Sequence, residues 1–272
     1  MFETVTAKNG VVYLRSDILK ARHGFSTRIG GVSAEAYTAS LNLAFGRGDC
    51  KNTVLKNLEL FSEAVGIDAG GVISLPQVHS ATVLEVDGSD RGRGYFNPAF
   101  GEGDGYITDK AGVALGVKSA DCVPILLEGE SEKGEIAVVC ALHAGWRGTV
   151  GGIARVGVES ILKKGVPLSK IRAAIGPAIG KCCFEVGEEF PDAVACGLGK
   201  YYAEKFVEHR GNKLYADIKG MNAELLASCG VSFENIDICS DCTFCLEEKY
   251  YSHRRMNGIR GTMLSVIALD IQ

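Results

Sequence analysis

Three residues with metal-ligand chemistry each stand at the end of an apolar run. The run 72–78 leads into His79, 112–119 leads into Ala120-Asp121-Cys122-Val123-Pro124, and 136–142 leads into His143-Ala144-Gly145-Trp146-Arg147-Gly148. Strand ends of this kind fix a side chain against a sheet while the following loop leaves room for a ligand. The separations of 43 and then 21 positions between His79, Cys122 and His143 are too wide for a zinc finger, whose ligands come in tight pairs. They suit three strands of one sheet converging on a point. Two imidazoles and a thiolate leave a fourth zinc position open to water or substrate, as in catalytic rather than structural zinc. Each residue taken alone reads as an ordinary buried side chain. The combination, with Asp121 and Arg147 adjacent, points to a centre.

The other thiols are less specific. Cys239, Cys242 and Cys245 offer C-x-x-C twice in register, but a fourth ligand and the usual follow-on residues of an iron–sulfur or zinc motif are missing nearby. Cys182 and Cys183 would point to opposite faces of an extended segment, so at most one could serve a common site. Buried thiols are the simpler reading for most of these. The stretch 176–182 spells G-x-x-x-G-K-C, one residue short of a phosphate-binding P-loop and lacking its hydroxyl. There is no G-x-S-x-G elbow, and the H-x-E plus P-C-x-x-C signature of the common zinc nucleobase deaminases is absent.

The elements that must position these residues follow from periodicity. Strands are expected at 11–14, 72–78, 81–86, 113–118, 123–127, 136–142, 171–175, 236–239 and 263–268. Val54, Leu58, Phe61 and Val65 recur at helical spacing and predict an amphipathic helix over 50–65. Further helices are expected over 149–164, 187–196 and 218–228. The helix from Thr149 would begin just past the His143 loop, with its N-terminal N–H groups facing an anion such as phosphate. The glycine-rich stretch 88–105 reads as a mobile loop that could form a lid, and 23–33 as a loop bringing Arg28 close to a ligand.

At 272 residues, with 46% hydrophobic and 23% charged residues, the chain can bury a full core. One α/β domain over 1–272 is simpler than two small ones. A formal net charge of −4 with scattered Lys and Arg argues against nucleic-acid binding as its main business. No run approaches ~18 apolar residues and the first ten residues lack a signal-peptide pattern, so a cytoplasmic protein without membrane contact is expected. Its ten cysteines should then stay reduced.

Gln77-Val78-His79, Ala120-Asp121-Cys122-Val123-Pro124 and His143-Ala144-Gly145-Trp146-Arg147-Gly148 are followed by Ile175-Gly176-Pro177-Ala178-Ile179-Gly180, Cys182-Cys183-Phe184-Glu185-Val186-Gly187 and Ser252-His253-Arg254-Arg255. In this order they resemble the YfiH/YlmD family over nearly the whole chain. That family has been described as polyphenol oxidases or laccases, as peptidoglycan editing factors and as purine nucleoside phosphorylases. The resemblance implies an α/β fold of layered mixed sheets flanked by helices, an α-β-β-α sandwich. It implies zinc held by His79, Cys122 and His143, with copper as a possible occupant. The implied reactions are phosphorolysis of adenosine, inosine and methylthioadenosine to free base and ribose 1-phosphate, and hydrolytic deamination of adenosine. The family's Ser-x-Arg-x-Gly-Gly loop matches Ser26, Arg28, Gly30 and Gly31, and its Leu-Asn matches Leu41-Asn42. Arg28, Asn42 and Gln77 are thereby expected to contact substrate, and a homodimer is expected by the same analogy. The chain departs from the pattern at His253, where the family has Tyr, and at Met256, where it has an acid.

Deamination needs an activated water and an acid for the leaving ammonia, which Asp121 or Glu185 could supply. Phosphorolysis separates charge between a sugar cation and phosphate, and Arg28, Arg147 and the helix near Thr149 could hold the anion. Cys122, Asp121 and Arg147 are thus the expected catalytic residues. Competing readings are a cysteine-type amide hydrolase acting on cell-wall precursors, with Cys122 as nucleophile and His143 as base, and a zinc-stabilised binding module. A copper-dependent phenol oxidase activity could arise only as a side reaction, since five histidines fall short of the roughly ten that a multicopper centre needs.

Overall fold

The computed structural model describes residues 1–269. From the N-terminus its elements are β1 (Phe2–Thr6), β2 (Val12–Ser16), β3 (Arg22–Ser26), α1 (Lys51–Val65), β4 (Val72–Ile73), β5 (Val83–Glu85), β6 (Gly105–Thr108), β7 (Ala114–Ser119), β8 (Val123–Glu130) and β9 (Ile136–Ala144). There follow α2 (Trp146–Val150), α3 (Ile153–Lys163), β10 (Ile171–Ile175), β11 (Glu185–Val186), α4 (Glu189–Leu198), α5 (Lys200–Phe206), β12 (Val207–Arg210), β13 (Lys213–Ala216), α6 (Ile218–Ser228), β14 (Ile236–Ile238) and β15 (Met263–Ala268).

Strand alternation dictates how the layers stack. One mixed sheet has the order β1-β2-β3-β15-β7-β4, a second has β14-β10-β8-β9-β6-β5, and β11-β13-β12 form a small third. On β15, Leu264 and Val266 face α1 and join Val54, Leu58 and Phe61 in one core, while Met263 and Ile267 face the second sheet. On β8 and β9, Leu126, Val139 and Ala141 close the layer between the sheets, whereas Ile125, Leu127, Val138, Cys140 and Leu142 pack with Val158 and Ile161 of α3 and with α6. The order is helix, sheet, sheet, helix, the expected sandwich. Both sheets are covered on two faces, which is why β8 is buried along its whole length. Helix α1 ends where Gly66 turns left-handed (φ 80°) and donates to Ser62 and Glu63.

The His79–Cys122–His143 point does not lie on one sheet. The chain leaves the first sheet after Ser119 and enters the second at Val123, and it crosses again between β4 and β5. His79 and Cys122 sit in these crossings, and only His143 sits within a strand. The expected strand 72–78 is therefore cut to Val72–Ile73, since the rest of the run makes the crossing. The expected helix from Thr149 is two helices. It starts earlier, at Trp146, breaks at Gly151 and Gly152, and resumes at Ile153, with Gly152 left-handed (φ 79°). The stretch 88–105 is anchored at Tyr95, which is buried and whose hydroxyl donates to the Leu43 carbonyl at 2.6 Å, while residues 96–100 lie exposed. Strands β1, β3, β6 and β11–β13 were not expected. They are short, and β1, β3 and β12 carry charged residues that hide the alternation.

Candidate metal centre and its cleft

Backbone strain brings the three ligands together. His79 adopts φ 63° and Asp121, just before Cys122, adopts φ 93°, a region uncommon for residues other than glycine. Gly145 lies against them. A Cβ there would fall 2.6 Å from His79 Cδ2 and 3.4 Å from Cys122 Sγ, so the turn after β9 can approach only as glycine. One ligand atom from each of His79, Cys122 and His143 lies within 4.8 Å of the others, and Cys122 Sγ is 3.9 Å from His79 Nε2. A tetrahedral cation about 2.0–2.3 Å from such donors needs them roughly 3.3–3.8 Å apart, so a small contraction would complete the site. The donor set and spacing fit a borderline cation with a free fourth position.

The support for this constellation is Asp104, a residue that motif reading passed over. It is fully buried. Its carboxylate accepts from His143 Nδ1 at 2.8 Å and from the backbone N–H groups of Val78, His79 and Ser80 at 3.1, 3.0 and 2.6 Å. One side chain thus holds the His79 loop and leaves His143 Nε2 free for a cation, the carboxylate–histidine arrangement common behind metal ligands. Burial alone would push the Asp104 carboxyl up, yet His143 and Ser80 hold it at about 2. Burial likewise opposes charge on Cys122, but the nearby His143 and His79 bring its thiol down to about 6. His143 is pulled down by burial and raised further by Cys122 and Asp104, to about 9. Without a metal, the site favours a thiolate beside an imidazolium.

The three ligands open into a cleft of about 550 Å³, well within the range of small-molecule sites. Its wall is cationic. Arg47, Lys118, Arg254 and Arg260 line it together with His253, and Asp121 is the only acidic residue among them. Burial and the facing Arg47 depress Lys118 to about 8 and Arg260 to about 10. Arg260 Nε is buried with no hydrogen-bond partner. Mutually repelling cations with an unfilled donor make a ready anion site. Phe45, Ile179 and Phe184 supply an apolar portion of the same wall.

Of the expected contact residues, Gln77 lines the cleft and its amide clamps Lys118, accepting from its N–H and donating to its carbonyl at 2.8 Å each. Asp121 also lines it, with its oxygens accepting from Thr243 Oγ1 at 2.6 Å, Ser252 Oγ at 3.0 Å and Arg254 N at 2.7 Å. It anchors the segment that presents His253 and Arg254. Asn42 is buried behind the cleft. It donates to Asp49 and accepts from Thr262 N at 3.0 Å, fixing the loop that carries Arg47.

Arg28 and Arg147 are not brought to the cleft. Arg28 stacks 4.8 Å over Tyr251 and donates to the carbonyls of Ala39 and Glu247. Arg147 is exposed and stacks 4.2 Å over Trp146. Glu185 does not line the cleft either and pairs with Lys213 at 2.8 Å. Of the cations that do line it, only Arg254 had motif context in the sequence, in Ser252-His253-Arg254-Arg255. A usable signal for Asp104 was its place between Gly103 and Gly105 at the start of an apolar strand.

The family model for multi-copper polyphenol oxidoreductase laccases matches residues 22–270. The chain is 36% identical over 261 residues to a purine nucleoside phosphorylase of Deinococcus radiodurans, covering 96% of this chain and 94% of that one. It is 33% identical to adenosine deaminase RL5 of an unknown prokaryotic organism, covering 85% and 88%. The crystal structure of YlmD from Geobacillus stearothermophilus superposes with a TM-score of 0.86 at 34% identity, covering 95% and 96%.

Proposed function

Because the chain belongs to the laccase-like family that includes YlmD and YfiH, we propose that it is a zinc-dependent purine nucleoside phosphorylase with adenosine deaminase activity. The reading is carried by the cluster of Arg47, Lys118, Arg254 and Arg260 beside His79, Cys122 and His143 in one cleft. Zinc on those ligands would supply a Lewis acid with an open position. The chain's own residues do the rest. Arg47, Lys118 and Arg260 bind phosphate, and filling the site relieves their mutual repulsion. The apolar wall of Phe45, Ile179 and Phe184 takes the purine face. Asp104 keeps His143 in the tautomer whose Nε2 can ligate, and Asp121 keeps Arg254 and Cys122 in register. The deaminase half is supported by the likeness to a relative bearing that name and uses the same cleft.

A second reading is favoured by one observation. Cys122, His143 and Asp104 stand in the order nucleophile, base and orienting acid, with the thiol already depressed, as in a cysteine-type amide hydrolase. A phenol oxidase finds less support, because neither metal-capable cluster among the described residues has the histidines of a multicopper centre.

The deciding experiment follows adenosine with and without phosphate, using zinc-loaded and chelated protein. Adenine and ribose 1-phosphate formed only with zinc and phosphate are the expected outcome. Inosine alone would leave a deaminase. Amide hydrolysis that ignores chelators and is abolished by thiol alkylation would replace the reading altogether.

A further inference from the structure

Four of the cysteines without a part in the cleft stand together. Strands β10 and β14 are parallel neighbours at the edge of the second sheet, so the loops that follow them leave from the same end. The first carries Cys182 and Cys183, the second Cys242 and Cys245. Their four Sγ atoms lie within 4.8 Å of one another. Cys245 Sγ is 3.8 Å from Cys182 Sγ and 3.4 Å from Cys183 Sγ.

The local backbone explains how two adjacent cysteines reach one point. Residues 181–183 form a turn, in which Cys183 N and Phe184 N both donate to the Gly180 carbonyl at 2.9 Å. The segment is not extended, and both thiols reach the same cluster. Gly180 N donates to Cys242 Sγ at 3.2 Å, the backbone-to-sulfur bond that stabilises a thiolate. A Cβ on Gly180 would press on Cys182 Sγ at 3.2 Å and on Cys242 Cβ at 3.3 Å. Cys239 is buried apart from the cluster, so the ligand pair is Cys242-x-x-Cys245 and the other two come from the neighbouring loop.

We propose that Cys182, Cys183, Cys242 and Cys245 form a second metal site, a closed tetrathiolate that holds a structural zinc ion. Four thiolates 2.3 Å from a tetrahedral ion stand about 3.8 Å apart, close to the separations observed. Soft sulfur donors in this geometry select zinc. With four protein ligands there is no open position, so the ion does no chemistry. It fastens two loops behind the cleft. Thr243 N donates to the Ala178 carbonyl, Ile179 N donates to the Asp121 carbonyl, and Thr243 Oγ1 donates to the Asp121 carboxylate. The ion would thereby lock the turn that presents Cys122 and Arg254. Binding requires four deprotonated thiols and releases their protons.

The test uses the full chain carrying Cys122→Ala, which removes the first centre, with cobalt(II) as the probe. One cobalt per chain is expected, with the intense sulfur charge-transfer bands and tetrahedral d–d bands of four thiolates. Adding Cys245→Ser should abolish that spectrum and remove one zinc equivalent from the protein as purified. Cys182→Ser, at another exposed position, serves as a second variant, and circular dichroism confirms that each is folded. Absence of cobalt binding by the folded Cys122→Ala protein, or an unchanged spectrum in both serine variants, would overturn the proposal. So would a protein mass short by two hydrogens that thiol reductant restores, since the sulfurs would then be a disulfide. None of these outcomes depends on the reaction catalysed in the cleft.

Discussion

Asp104 and the cleft arginines make the sharpest claims about single residues. Asp104→Asn keeps the shape but loses the carboxylate that orients His143 and the His79 loop. Zinc affinity should fall by about 10–100-fold, measured by competition with a chelating dye, and an unchanged affinity would remove Asp104 from the centre. Arg260→Ala takes away a half-buried cation whose buried Nε is an unfilled donor. A charge-assisted contact contributes about 1.5–3 kcal/mol, so KM for phosphate should rise roughly 10–100-fold while zinc content stays at the wild-type level. Arg147→Ala removes an exposed side chain stacked on Trp146 and should leave KM for phosphate within about twofold, well under the 1.4 kcal/mol of a tenfold change. Equal effects of the two substitutions would move the anion site away from Arg260.

At the scale of elements, the second sheet is held by apolar packing above and an ion cluster at its end. Leu142 is fully buried on β9, and a Cβ on Gly157 of α3 would lie 2.7 Å from it. Leu142→Ala should cost about 2–5 kcal/mol, read as a lower denaturant midpoint with unchanged slope. At the far end of β8, Glu130 pairs with Lys20, Lys170 and Arg172 at 2.6, 3.3 and 2.9 Å. Hydrogen bonds from Lys20 and Arg172 hold its carboxyl near 2, below the ordinary glutamate value of 4.5. A depressed carboxylate stabilises the fold fully above its unfolded value, and that contribution is lost as pH falls from about 4.5 through about 2. Glu130→Gln should flatten this part of the acid limb in a series of thermal melts. A limb of unchanged steepness would assign acid unfolding to other carboxylates.

At the scale of the whole molecule, the proposed zinc would couple folding to metal. Zinc bound to the folded state alone at about 100 times its Kd adds about 2.7 kcal/mol of stability. Chelation should therefore lower the melting temperature and zinc should restore it, and Cys122→Ala should shrink the shift. An identical shift in that variant would place the stabilising ion elsewhere. No helix among the described residues is long and apolar enough to cross a membrane.

Sequence alone determined the features that local chemistry writes into short stretches. The amphipathic spacing in α1 and the apolar runs of β8, β9 and β15 announced the sandwich's main elements, because a buried face must recur with the period of its element. His79, Cys122 and His143 stood out because imidazoles and a thiol at the ends of such runs are chemically unusual. Tertiary structure alone decided what depends on distance in space. It set His79 and Cys122 at the crossings between two sheets, where left-handed turns at His79 and Asp121 are possible, and His143 beside them on β9. It also gathered Arg47, Lys118, Arg254 and Arg260 from three separate segments, the last two from the connection between β14 and β15, and joined Cys182 and Cys183 to Cys242 and Cys245. Electrostatic fields and ligand polyhedra act through space, so of these two arrangements only the Cys242-x-x-Cys245 pair leaves a spacing in the chain.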